Sequence, residues 1–90
     1  FSLHQNYPNP FNPATTVSFA LPVKSQVSLD VYSLLGEKVL TVVNGNLDAG
    51  THTYQLNASS LTSGVYVYSL SAIDAAGNAT QLSKKMTLLK

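Results

Sequence analysis

Proton-transfer or metal chemistry in this 90-residue chain would have to use two histidines, His4 and His52, and four acids, Asp30, Glu37, Asp48 and Asp74. His4 precedes a proline-rich stretch, and His52 lies in an alternating segment beside Gly50. No HxH or HExxH spacing links them, so they read as exposed or edge histidines rather than ligands. The acids occur singly. A glycosidase pair needs two carboxyls held ~5–9.5 Å apart, and a small β domain offers little concave surface to enclose a sugar. No serine sits in a GxSxG turn, and the absence of cysteine removes thiolate nucleophiles, thiolate metal sites and disulfides. Gly36, Gly45, Gly50, Gly64 and Gly77 stand alone at turns and make no phosphate loop. Asp74-Ala75-Ala76-Gly77-Asn78 has one carboxylate, which suits a hairpin turn better than a calcium loop. Tyr32, Tyr54, Tyr66 and Tyr68 suggest stacking on a sugar. With no tryptophan, core and cross-strand packing is the better reading. The expectation is therefore no catalytic centre, no metal and no cofactor.

Composition narrows the class further. Charged residues make up 10% of the chain, against roughly 25% in a typical domain. Threonine, serine and asparagine replace them, as in many extracellular β modules. The net charge is +1, from five lysines and no arginine, with Lys84, Lys85 and Lys90 in the last seven residues. No basic face for nucleic acid is visible. No apolar run approaches the ~20 residues of a membrane helix, so no direct membrane insertion is expected. A chain that starts at Phe1, without an initiator Met or signal peptide, reads as a piece of a longer protein.

The segment Asn6-Tyr7-Pro8-Asn9-Pro10-Phe11-Asn12-Pro13 holds three of the four prolines. Proline fixes φ and removes a donor, which excludes helix and central strand. Polyproline II is predicted, at about three residues per turn. That period puts Asn6, Asn9 and Asn12 on one face, and the rings of Tyr7 and Phe11 are expected to pack on the domain. Residues 1–14 thus form a stiff strap, and residues 15–90 the domain itself. The strap is expected to cover one end of the core, away from the terminal strand.

Period-two alternation dominates the rest. Val17, Phe19 and Leu21 share a face, as do Val27, Leu29 and Val31. Gly36 is predicted at φ > 0 in a tight turn, followed by a strand over Lys38–Val43. Asn44-Gly45-Asn46 reads as a hairpin and Asp48-Ala49-Gly50 as a second turn. Further strands are predicted over Thr51–Leu56, Val65–Ile73 and Thr80–Leu89. About seven antiparallel strands, with turn signals every ~8–12 residues, predict an all-β, immunoglobulin-like sandwich. Leu61-Thr62-Ser63-Gly64-Val65-Tyr66 is similar to a tyrosine corner, in which a phenol bonds upstream backbone. Tyr66, Tyr68 and Leu70 are assigned to the core.

The last strand places Leu82, Lys84, Met86 and Leu88 on one face and Gln81, Ser83, Lys85, Thr87 and Leu89 on the other. Lysines here blunt an edge strand. They also suit a terminal strand shown to a receptor, read by strand addition plus a cationic end.

Four ordered motifs carry a family resemblance across nearly the whole chain. Gln5 to Pro13 followed by Thr15 to Phe19 resembles the opening of the type A C-terminal sorting domains of type IX secretion. Val27 to Val39, with Tyr32-Ser33-Leu34-Leu35-Gly36-Glu37, resembles their second motif, and Leu61 to Leu70 their third. Lys84-Lys85-Met86-Thr87-Leu88-Leu89-Lys90 resembles their terminal motif, with leucines where many members carry isoleucine or valine. The resemblance implies a sandwich related to the flagellar hook-capping domain. It implies a non-catalytic export address for an upstream cargo in a Gram-negative bacterium. Recognition would be by the translocon and an outer-membrane β-barrel shuttle protein, and processing by a sortase-like cysteine peptidase. Lys84, Lys85, Met86, Leu88, Leu89 and Lys90 would be the sorting signal. Asn6, Pro8, Asn9, Pro10, Phe11, Asn12, Pro13, Gly36, Gly64 and Tyr66 would be structural. The tyrosines and low charge motivate a second reading, an accessory module that binds glycan or packs on a catalytic domain.

Overall fold

Alternating segments fold as antiparallel strands. In the computed structural model, which describes residues 1–90, their order is β1 (Ser2–Leu3), β2 (Ala14–Leu21), β3 (Ser25–Ser33), β4 (Lys38–Leu47), β5 (Gly50–Asn57), β6 (Gly64–Asp74) and β7 (Ala79–Leu88). They form a three-stranded sheet, β1-β2-β5, and a four-stranded sheet, β4-β3-β6-β7. This is the immunoglobulin-like sandwich the turn spacing predicts. β1 is the strand the alternation does not reveal. Only two residues long, it pairs with Ala20 and Phe19 of β2.

The inward faces match the period-two reading. Val17, Phe19 and Leu21 of β2 are buried against Val27, Leu29 and Val31 of β3, Tyr66, Tyr68 and Leu70 of β6, and Met86 and Leu88 of β7. Each such apolar side chain contributes about 1.5–3 kcal/mol by leaving water. The tip between β3 and β4 closes as expected, with Gly36 at φ 88° and Ser33 N–H donating to Glu37 O at 2.8 Å.

Two expectations are corrected. Asn44-Gly45-Asn46 is not a hairpin. These residues lie inside β4, opposite Ser28, Val27 and Gln26 of β3, where ladder bonds to a full-length neighbour override local turn preference. The turn comes at Asp48-Ala49, before Gly50 at φ 127°. Bulges at Leu29/Asp30 and Val31/Tyr32 interrupt the β3–β4 register. They let Val39, Leu40, Val42 and Val43 all pack partly against the core.

The strap is not a polyproline II rod with two packed rings. A three-residue period is absent, because Asn6 is buried while Asn9 and Asn12 are exposed. Phe11 is 2% exposed, but Tyr7 is 82% exposed. The Tyr7–Pro8, Asn9–Pro10 and Asn12–Pro13 bonds are cis. The segment crosses from one sheet to the other. Tyr7 bridges antiparallel to Thr16 of β2, and Phe11 bridges parallel to Leu88 of β7. Backbone pairing at two points sets the path, and only one ring faces inward.

The tyrosine corner is present. Tyr66 donates its hydroxyl to Thr62 O at 2.7 Å. Gly64 enters β6 at φ 156° with nothing within 4 Å of where a Cβ would sit. Gly64→Val is therefore expected to destabilise through its backbone alone, by ~1–3 kcal/mol. A chemical-denaturation midpoint equal to wild type would show that no such conformational cost exists.

Candidate recognition surface

β7 is an edge strand whose outward side meets the strap. Its last residues alternate in exposure as the pleat requires. Met86 and Leu88 are fully buried, opposite Tyr66 and Gly64 of β6. Lys84 is half-buried opposite Tyr68, while Lys85 is exposed opposite Val67. Leu89 is 54% exposed. Lys90 is fastened at both ends, its N–H donating to Ser63 Oγ at 3.0 Å and its Nζ to Ser59 O at 2.7 Å. The six residues assigned to the signal thus divide. Lys84, Lys85, Leu89 and Lys90 reach solvent wholly or in part, and Met86 and Leu88 belong to the core.

The strap lies directly against this strand, not at the other end of the domain as expected from sequence. Phe11 N–H donates to Thr87 O and Leu89 N–H donates to Phe11 O, both at 3.0 Å. Thr87 N–H donates to Asn9 Oδ1 at 3.0 Å, and Gln5 Nε2 donates to Lys85 O at 2.9 Å. Strap and terminal segment are one structural unit.

A polar cluster anchors the strap from the inside. The Tyr68 hydroxyl donates to His4 O at 2.7 Å and accepts from Asn6 N–H at 2.9 Å. Asn6 Nδ2 donates to Pro8 O and to Thr15 Oγ1, both at 3.1 Å. Thr15 Oγ1 donates to Pro8 O at 2.8 Å, and Gln5 Nε2 donates to Asn6 Oδ1 at 2.7 Å. No buried side-chain polar atom in the chain is left unpaired, so the cluster carries no desolvation penalty for an unmet group. Burial pushes the Tyr68 phenol above its ordinary range, and the Asn6 N–H pulls it part of the way back. Sequence reasoning missed Gln5, Tyr68 as an anchor, and the links from Lys90 to Ser59 and Ser63. These partners lie 27 to 80 residues apart, beyond any local periodicity.

Several of the groups considered for chemistry are otherwise engaged. Asp30 accepts from Ser28 Oγ at 2.6 Å and Thr41 Oγ1 at 2.9 Å, with Lys38 Nζ at 3.7 Å. His52 Nε2 lies 2.7 Å from Asp48 O, and its ring packs on Phe19 at 5.6 Å. No group of three or more histidine, aspartate or glutamate side chains assembles a metal site. Of the tyrosines weighed as sugar platforms, Tyr66 and Tyr68 are buried, and Tyr54 stacks on Phe19 at 6.0 Å.

Asp74 turns inward on its own loop. Its carboxyl is held below the ordinary 3.8 by the Asn78 backbone N–H first and then by the Asn78 amide; desolvation opposes them, and the Ala76 and Gly77 N–H groups add to the lowering. A depressed carboxylate stabilises the fold at pH above the ordinary value, and that contribution disappears as pH falls through the lowered one. An NMR titration is expected to place the Asp74 midpoint below 3.8 and to raise it only part of the way back in Asn78→Ala, which removes the side-chain amide and keeps the backbone N–H. A midpoint at or above the ordinary value would contradict the turn geometry.

The fold resembles that of a solved structure described as the crystal structure of CopC from Methylosinus trichosporium OB3b. The match has a TM-score of 0.60 and 16% identity, and covers 96% of this chain and 90% of that one. At that identity the likeness concerns the fold alone. No curated protein matches the sequence. A family model described as the secretion system C-terminal sorting domain matches residues 5–87.

Proposed function

The chain belongs to the family of type IX secretion C-terminal sorting domains, and from that premise we propose that it is a non-catalytic export address for a cargo joined upstream. Membership implies interaction with the type IX machinery and export to the cell surface or beyond. Within that frame, the translocon, an outer-membrane β-barrel shuttle and a sortase-like cysteine peptidase of a Gram-negative host are the proposed partners. Lys85, Leu89 and Lys90, with the half-buried Lys84, are the side chains proposed to be read. Met86 and Leu88 are proposed to hold the strand in place for them. The match over residues 5–87 carries the reading. The exposure of a short cationic and apolar tip on one edge supports it.

A fusion of a periplasmic reporter to residues 1–90, expressed in a type IX host, tests it. The combined Lys85→Gln, Leu89→Gln and Lys90→Gln variant changes only exposed side chains, each worth within about ±0.5 kcal/mol of stability. It is expected to fold and to lose export about tenfold or more, equivalent to ~1.4 kcal/mol of receptor affinity. Undiminished export of the folded variant would remove these residues from the signal. A wild-type fusion that stays in the periplasm would remove the sorting role.

A further inference from the structure

The outward edge of β7 is longer than its cover. The strap bonds Lys85 O, Thr87 N and O, and Leu89 N. These belong to alternate residues, as the free side of an edge strand requires. The unbroken β6–β7 register makes Ser83, Gln81 and Ala79 the next outward positions. No turn or strap residue bonds the backbone of these three. The edge is thus capped at three of its six outward positions and free of hydrogen-bonded cover at the other three.

The cap is also a poor strand. Its only backbone pairing to β7 is the single bridge of Phe11 to Leu88. Two of its four bonds come from the Gln5 and Asn9 side chains, and Pro8, Pro10 and Pro13 offer no N–H. It has no acid to meet Lys85, and the only ion pair in the chain joins Lys38 to Asp30. A regular strand on this edge would make a full ladder, and a carboxylate on it would pair with Lys85.

We propose that the strap is a removable cover and that the β7 edge from Ala79 to Leu89 is a strand-addition site. Its occupant is an extended segment of the export receptor, with a large apolar side chain for the place of Phe11 and a carboxylate opposite Lys85. This rests on the sorting role proposed for the same segment. The strap competes from within the chain, at an effective concentration of order millimolar. Loosening it therefore raises the apparent affinity of any segment that binds in its place.

The test uses the whole 90-residue chain and a synthetic peptide of the Gln5–Pro13 sequence, the segment that lies on the edge within the chain, with and without a Gln5→Asp change. The Gln5→Ala/Asn9→Ala variant removes both side-chain bonds to β7 and the Gln5 bond to Asn6 Oδ1, and leaves the apolar core in place. Its Thr87 and Leu89 amides are expected to exchange severalfold faster by NMR, while those of Tyr68 and Leu70 do not change. The peptide is expected to bind the variant more tightly than wild type and to shift the Ser83–Leu89 resonances. The Gln5→Asp form gives up the bond to Lys85 O and gains attraction to the Lys85 ammonium, so its binding is expected to strengthen as salt falls more than that of the parent peptide, a difference lost in Lys85→Gln. Unchanged exchange at Thr87 and Leu89 overturns the proposal, as does faster exchange with no peptide binding. Self-association of the variant in place of peptide binding gives the edge to a second copy and overturns the receptor assignment. In the export assay the loosened variant is expected to match or exceed wild type, and slower export of the folded variant overturns the cover. Failure of the wild-type fusion to export counts against the sorting role alone, because exchange and peptide binding still decide the cover.

Discussion

A chain ending at Ser83 loses its cooperative unfolding transition. The missing residues carry the terminal motif, and two of them, Met86 and Leu88, are fully buried. Losing a large apolar core side chain costs about 2–5 kcal/mol at each site. The truncation also removes the partners of Gly64, Tyr66 and Tyr68 on β6. It strips the strap of Lys85 O, Thr87 and Leu89, so Phe11 loses its seat as well. A domain of this size has roughly 5–15 kcal/mol in total, and the summed loss is of that order. Thermal melting by circular dichroism is expected to show a broad, non-sigmoidal change. A sharp transition within a few degrees of wild type would mean that the terminal strand is a detachable tail.

The consequence for function is that deletion cannot locate the address. A truncated fusion that fails to export has lost its fold along with its last lysines, and the two causes give the same result. Substitutions at Lys85, Leu89 and Lys90 separate them, because those side chains face solvent while the strand beneath stays seated. The same coupling ties the N-terminal side of the domain to its C-terminal strand through Gln5, Asn9 and Phe11. Whatever pulls on the strap pulls on the edge that carries the proposed signal.

Alternation made most of the sandwich legible. Val17, Phe19 and Leu21, or Val27, Leu29 and Val31, can be assigned inward from spacing because a strand has one buried face and a period of two. Tyr66 and Gly64 were legible because a tyrosine corner is made within a few residues. Three things were not. The continuation of β4 through Asn44-Gly45-Asn46 depends on β3 lying beside it, which no window of sequence contains. The strap's path depends on Thr16 and Leu88, so its prolines suggest a regular polyproline II strap over one end of the core where two distant strands impose a crossing. The anchoring of Tyr68 to His4 and Asn6 spans more than 60 residues. Its period-two placement marks Tyr68 as core but does not say what its hydroxyl meets.

Phe11→Ala is expected to cost about 3–5 kcal/mol, while Tyr7→Ala costs less than ~0.5 kcal/mol. The two rings sit four positions apart in the same strap, and sequence reasoning had both pack on the core. Phe11 is 2% exposed among the buried apolar side chains that include Met86 and Leu88, so its removal leaves a cavity and weakens the bridge to β7. Tyr7 is 82% exposed, and its contribution is the backbone pairing with Thr16, which alanine preserves. Urea denaturation of the two variants measures the contrast directly. Phe11→Ala should also make the strap sensitive to protease at concentrations that leave β2 to β7 intact, because hydrogen bonds to β2, β6 and β7 then hold it without a buried ring. Equal costs for the two variants would mean that the strap is held by its backbone, with neither ring as its anchor.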